Sequence, residues 1–339
     1  MRLKDKIKKW AAEGIHYSRI RLDDTHEDAG MTYLMNNNYE RAADEFRISL
    51  EEGNDIPSVN SNLGFALMQQ GSFNESVHYF AKALRRHKQD YMVRYYLGQT
   101  YLKAGEFTPA ISYFNSATRI FRQFSDAFYY KGVALYFKGK LTSSIRALNK
   151  SIRNYNSFPD AYIFKGNAHL YLSEYEDADS CYDRAIELQP DLFIAYLNRG
   201  QSRYFQNKLN EALKDYATCL EIDPNAFSAY FLQGNALFAS GKLEESLSSY
   251  DTAIDLNGEH AFAYNNRGYV KYSLERYEEA IDDYTNALQI KANFIRARIN
   301  RAVAYHKIGF NEAAQVDYNT IKLERPDLER VIKSIGSGS

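Results

Sequence analysis

The stretch AYLNRG at residues 195–200 returns as AYNNRG at residues 263–268, and a diluted form, AYFLQG, stands midway at 229–234. The interval is 34 residues. Counted in both directions from Gly200, glycine falls at Gly30, Gly64, Gly98, Gly132, Gly166, Gly234 and Gly268, and the next step lands on Ala302. If that glycine is position 8 of a unit, position 20 is always Ala or Ser, from Ala42 to Ala314. Position 24 is Phe46, Phe80, Phe114 and Leu148, then Tyr from Tyr182 to Tyr318. Nine units beginning at residues 23, 57, 91, 125, 159, 193, 227, 261 and 295 therefore tile residues 23–328 without insertion or deletion.

A period of this length signals a stacked solenoid of supersecondary units. Each unit must pack closely at the small positions 8 and 20, where two helices approach, and fill the remaining space with the ring at position 24. Gly early, Ala later, then an aromatic and Pro is the pattern of the tetratricopeptide repeat (TPR) family. This chain resembles that family over about nine tenths of its length, most clearly at Tyr196, Gly200, Ala212, Tyr216 and Pro224. The resemblance implies an all-α solenoid of antiparallel helix pairs, A and B, in a right-handed superhelix, and a protein that binds other proteins.

Proline placement agrees, because Pro is tolerated only in links and first helical turns. Pro190, Pro224 and Pro326 share position 32, Pro57 and Pro159 share position 1, and Pro109 lies near the start of a B helix. Gly71, Gly105, Gly139, Gly241 and Gly309 share position 15, the turn between A and B, where a left-handed residue often ends a helix. With no linker inside the repeat, the chain reads as one domain. Residues 1–22 leave the register and read as a basic amphipathic helix, capping the first unit or touching a membrane or partner. Residues 329–335 read as a last capping helix and GSGS at 336–339 as a linker outside the fold.

The net charge of −1 offers no general attraction to nucleic acid. No apolar run is long enough to span a bilayer. The two cysteines, Cys181 and Cys219, are too few for a disulfide framework and sit where B helices pack, which points to a reducing, cytoplasmic setting. The seven histidines form no metal spacing, and the cluster DDTHED at 23–28 reads as acidic residues at a helix start. No nucleophile motif or phosphate loop occurs. The expected protein is not an enzyme and needs no cofactor or metal.

Arg at position 7 and Asp at position 23 occur together, as Arg199 with Asp215, Arg267 with Asp283 and Arg301 with Asp317, and predict an ion pair between helices A and B of those units. At about 100° per residue, positions 2, 6, 9 and 13 of helix A face away from helix B. In the TPR family this set lines the concave groove. It carries an amide ladder of Asn167, Asn198, Gln201, Asn235, Asn266 and Asn300 and an aromatic zone that includes Tyr96, Tyr130, Phe137, Phe164, Tyr171 and Phe205, with Arg296 at one end. Amides carry both donors and acceptors and so suit peptide backbone, while exposed rings suit side-chain anchoring.

Some TPR co-chaperones clamp a C-terminal carboxylate with five groove residues. The matching positions here are Phe231, Asn235, Asn266, Arg296 and Asn300, which lack two of the cations. The expected function is thus a scaffold holding an extended peptide segment, with the regulatory or targeting arm of an enzyme complex as the alternative and self-association through solenoid ends as a further option.

Overall fold

The computed structural model describes residues 25–325 and 327. The expected caps at 1–22 and 329–335, and Pro326, lie outside them. Among the described residues every regular element is helical, in two compact units, one up to Glu174 and one from Tyr175. The first unit contains α1 (Thr25–Met35), α2 (Tyr39–Glu51), α3 (Pro57–Gln70), α4 (Phe73–Arg86), α5 (Tyr91–Lys103), α6 (Phe107–Ile120), α7 (Ser125–Phe137), α8 (Leu141–Asn154) and α9 (Pro159–Tyr171). The second contains α10 (Tyr175–Leu188), α11 (Phe193–Phe205), α12 (Leu209–Ile222), α13 (Phe227–Ala239), α14 (Leu243–Leu256), α15 (Ala261–Ser273), α16 (Tyr277–Ile290), α17 (Ile295–Lys307) and α18 (Asn311–Glu324). The boundary coincides with the A-to-B turn of the fifth repeat, where the sequence carries no linker.

Within each unit, odd-numbered and even-numbered helices alternate as A and B and pack on their chain neighbours, as a TPR solenoid requires. The repeat register explains the packing. A Cβ at Gly200 would lie 2.6 Å from the Tyr216 ring, and one at Gly98 would lie 2.5 Å from Phe114. The absent side chain lets the position-24 ring seat fully, so Phe46, Phe80, Phe114, Tyr216, Tyr250 and Tyr284 are all essentially inaccessible. Burial of each such ring contributes about 1.5–3 kcal/mol. Where position 20 is Ser, its hydroxyl donates to the position-8 carbonyl: Ser76 to Gly64 O at 2.7 Å, Ser144 to Gly132 O at 2.7 Å and Ser246 to Gly234 O at 2.9 Å. One side chain thereby fastens the close approach of A and B.

Position 15 is left-handed in all nine repeats. Five are glycines, but Asn37, Ser173, Asn207 and Glu275 hold φ between 56° and 61° in the same turn. The A-to-B turn is thus imposed by packing even where the residue disfavours it. Pro57 and Pro159 occupy first turns as expected. Among the described residues no helix is long and apolar enough to cross a membrane.

The paired Arg and Asp residues meet as predicted, and with more partners than the sequence reading assigned. Asp215, 2% exposed, accepts from Arg199 Nε at 3.1 Å, Arg199 Nη2 at 2.6 Å and Arg203 Nη1 at 2.8 Å. Arg199 also reaches back one repeat to Asp183, and Arg267 joins Asp283 in its own repeat to Asp251 in the one before. Arg301 repeats the scheme with Asp317 and Thr285. The second contact always comes from position 25 of the preceding unit, so the device ties repeats together as well as closing each one.

Both cysteines are free and buried. Burial, with Asp215 adding to it, pushes the Cys219 thiol up to about 12, so it is an inert packing group. The DDTHED segment opens α1 from Thr25, and its His26 Nδ1 pairs with Glu45 Oε2 at 2.6 Å.

Candidate peptide-binding face

The helix A faces of the second unit enclose a cavity of about 440 Å³. Four residues selected from the sequence line it together: Asn235 on α13, Asn266 on α15, and Asn300 and Arg296 on α17. Tyr204, Phe238, Tyr250, Asn265 and Tyr269 complete the walls. Their A helices stand side by side because the 34-residue register is unbroken, which brings positions 2, 6 and 9 of successive repeats into one surface.

The amides form a directed chain. Asn300 Nδ2 donates to Asn265 Oδ1 at 3.1 Å, Asn265 Nδ2 to Asn266 Oδ1 at 3.0 Å, and Asn266 Nδ2 to Asn235 Oδ1 at 2.9 Å. The buried Tyr250 hydroxyl also donates to Asn235 Oδ1, at 2.6 Å. Burial pushes the Tyr250 pKa far up, which keeps it a neutral donor. Asn235 Oδ1 is therefore occupied twice. Among the described residues nothing accepts from Asn235 Nδ2 and nothing donates to Asn300 Oδ1, so the chain ends in a donor at one side and an acceptor at the other. Tyr269, 46% exposed, lies edge-on to Phe238 at 5.4 Å, and Arg296 is exposed at the rim. The groups of this cavity can offer a ligand hydrogen bonds, apolar contacts and, through Arg296, one charge-assisted bond. No carboxylate, imidazole, thiol or aliphatic hydroxyl lines it.

Sequence reasoning missed Asn265. It is 2% exposed at position 5, where repeats one and two carry Glu27 and Ser61 but the other six carry Tyr95, Tyr129, Ile163, Leu197, Phe231 and Ile299, and an amide within that later apolar run was the available signal. Asn198 and Gln201 sit half-buried on α11 and do not line the cavity. Phe205 is 53% exposed, stacked on Tyr175 at 5.9 Å and edge-on to the wall residue Tyr204 at 5.7 Å.

The first unit holds the other aromatics. Tyr96 is corrected by the structure: it is 3% exposed, wedged against Phe65 at 5.1 Å and Phe80 at 5.9 Å, and belongs to the core. Position 6 there faces the neighbouring repeat, whose Phe65 is large enough to cover it. Tyr130 is half-buried among Tyr95, Tyr129 and Phe114, and burial raises its pKa. Phe137 and Tyr171 are 55% and 72% exposed and share the half-buried Tyr136, with Phe164 beneath Phe137 at 6.2 Å. Burial followed by the neighbouring Tyr171 pushes Tyr136 up to about 12. Asn167 is half-buried on α9.

Family models described as tetratricopeptide repeat match residues 55–123, 159–192 and 194–226, and one described as TPR repeat matches 234–274 and 268–309. No curated protein matches the chain. Among solved structures, the C-terminal part of a TPR repeat-containing protein from Cytophaga hutchinsonii is 20% identical with a TM-score of 0.59, over 70% of this chain and 97% of that one. A chain of the APC/C hetero-tetramer Cut9–Hcn1 is 16% identical with a TM-score of 0.57, over 89% and 59%, so this chain spans under two thirds of it. Pseudomonas aeruginosa pilF is 17% identical with a TM-score of 0.53, over 60% and 92%. These likenesses concern the fold. With its helix pairs, its glycine-on-ring contacts and the matched models spread from residue 55 to residue 309, the chain belongs to the tetratricopeptide repeat family.

Proposed function

We propose that this chain is a non-enzymatic interaction scaffold that holds an extended segment of another protein against the helix A face of its second unit. The observation that carries the reading is the amide chain from Asn300 to Asn235, whose free acceptor and free donor match the N–H and C=O of a peptide backbone. Tyr269 supplies an apolar anchor for a side chain, and Arg296 at the rim favours a segment carrying a carboxylate. The exposed Phe137 and Tyr171 of the first unit, with Phe205 of the second, offer further apolar contacts to partner segments.

Selection of a random peptide library on the full chain, followed by calorimetric titration of the enriched peptides, tests this. Asn300→Ala with Arg296→Gln removes one backbone contact and one charge-assisted contact, together about 2–4 kcal/mol. Affinity is expected to fall by at least tenfold in a variant that remains folded, with a modest drop in melting because Asn265 Oδ1 loses its donor. Enriched peptides that bind this folded variant as tightly as the parent would move the binding surface elsewhere.

A further inference from the structure

The first unit contains a second cavity, of about 570 Å³, between the B helix α6 and the pair α7 and α8. Five cations surround it: Arg119 on α6, Arg122 just beyond its end, Lys131 on α7, and Lys150 and Arg153 on α8. The remaining lining is Asn115, Thr118, Phe128 and Asn154, with no carboxylate. Among the described residues none of the five cations enters an ion pair. Lys150 Nζ lies 5.5 Å over the Phe128 ring.

Lys131 gives the cavity its meaning. It stands at position 7, the place of Arg199, Arg267 and Arg301, each of which is neutralised by an Asp at position 23 of its own repeat. In the fourth repeat position 23 is Ala147, and position 25 of the preceding repeat is Asn115. The half-buried ammonium thus has the location of an ion-pair cation and none of the anions. Burial, then the neighbouring Lys150, lowers its pKa. Arginines in last helical turns interact favourably with the carbonyl ends, which accounts for Arg119 and Arg153 separately. It does not account for five unneutralised cations converging on one concavity.

We propose that this cavity is an anion site that binds a small polyphosphate, a molecule carrying three or more negative charges on linked phosphates. Its volume lies within the range of about 300–1,000 Å³ typical of small-molecule pockets, too large for one phosphate and sufficient for several. Two lysines act as compact point charges on phosphate oxygens, and three guanidinium groups offer paired donors of matching geometry. The site is independent of the amide-lined cavity, which lies in the other unit.

Isothermal titration of the full chain with inorganic tripolyphosphate at low salt tests the assignment. Saturable binding with one site is expected, weakening steeply as salt rises. Orthophosphate should bind at least tenfold more weakly. Lys131→Gln with Arg153→Gln should reduce tripolyphosphate affinity at least tenfold, and the exposed Lys150→Gln should reduce it severalfold, which keeps the test open if the double variant melts early. Arg276→Gln in the second unit should leave binding unchanged. Absence of saturable binding, equal binding by the variants, or a short polyglutamate peptide binding as tightly as tripolyphosphate would each overturn the proposal.

Discussion

Replacing Arg199 by Leu strips Asp215 of two of its three charge-assisted hydrogen bonds while the carboxylate stays 2% exposed. Arg203 remains as its counter-charge at 2.8 Å, and Asp183, half exposed, loses its partner at little expense. Loss of one member of a buried pair typically destabilises by about 3–5 kcal/mol, and the surviving Arg203 holds the expected value near 3. Repeat three shows what else fills this site: Leu97 at position 7 is buried, and Tyr101 and Tyr113, at positions 11 and 23, stack 5.5 Å apart at 9°. Arg199→Leu with Arg203→Tyr and Asp215→Tyr copies that arrangement into repeat six and leaves no buried charge unpaired. The triple variant should therefore come within about 1 kcal/mol of the parent, since apolar replacements of buried ion pairs are often neutral or better. Hydrogen exchange read on α11 and α12 measures the local opening free energy, which suits repeat arrays that do not unfold as one step. A single variant that loses under about 1 kcal/mol there, or a triple variant no more stable than the single, would refute the idea that the buried carboxylate sets the energetics.

Gly200→Val places a branched carbon where 2.6 Å separates Cβ from the Tyr216 ring, and chemical denaturation should show a loss of about 1–3 kcal/mol or more. Glu275→Gly relieves a left-handed backbone at φ 61° and should raise stability by about 1 kcal/mol in the same assay. His260 is packed against Phe227 at 4.6 Å and Phe231 at 5.1 Å, its Nδ1 accepts from Ala263 N–H, and burial lowers its pKa below the ordinary 6.5. The unfolded chain then binds the proton more readily, so its contribution to stability is present above 6.5 and falls as pH drops through that value towards the folded pKa. His260→Asn keeps a cap acceptor and should flatten the thermal-melting pH profile in that window; an unchanged slope assigns it to other groups.

The fold was legible because one register dictates everything local to it: which side chains vanish at position 8, which ring fills the gap, and where the backbone turns left-handed. Position 15 shows the limit of residue identity, since Ser173 and Glu275 adopt a conformation their chemistry opposes and only their place in the period foretells it. The Arg–Asp pairs were readable because both partners lie in one unit. Their second partners, Asp183 and Asp251, were not, because Arg reaches across a repeat boundary at position 25. For the candidate face, helical geometry gave the right side of helix A but not the depth: Tyr96 lies on that side and is covered by Phe65. Of the amide ladder, Asn235, Asn266 and Asn300 line one cavity whereas Asn198 and Gln201 do not line it, a difference set by the neighbouring side chains. The basic cavity draws on three helices, and its traces in the sequence are Arg119 with Arg122 and Lys150 with Arg153, each pair three residues apart, and a position-7 Lys131 whose usual acidic partners are missing.

The Arg–Asp bolts stand in repeats six, eight and nine, whereas the same positions in repeats two and three carry Leu63 with Tyr79 and Leu97 with Tyr113. Temperature acts on these two solutions in opposite senses. Apolar contacts weaken on cooling, as the heat capacity of hydrated hydrocarbon dictates, while the penalty for dehydrating buried charges shrinks on heating. Repeats two and three are accordingly expected to loosen first in the cold and repeats six, eight and nine to gain relative to them as the solution warms, two thermal responses drawn from the same two positions of one repeat.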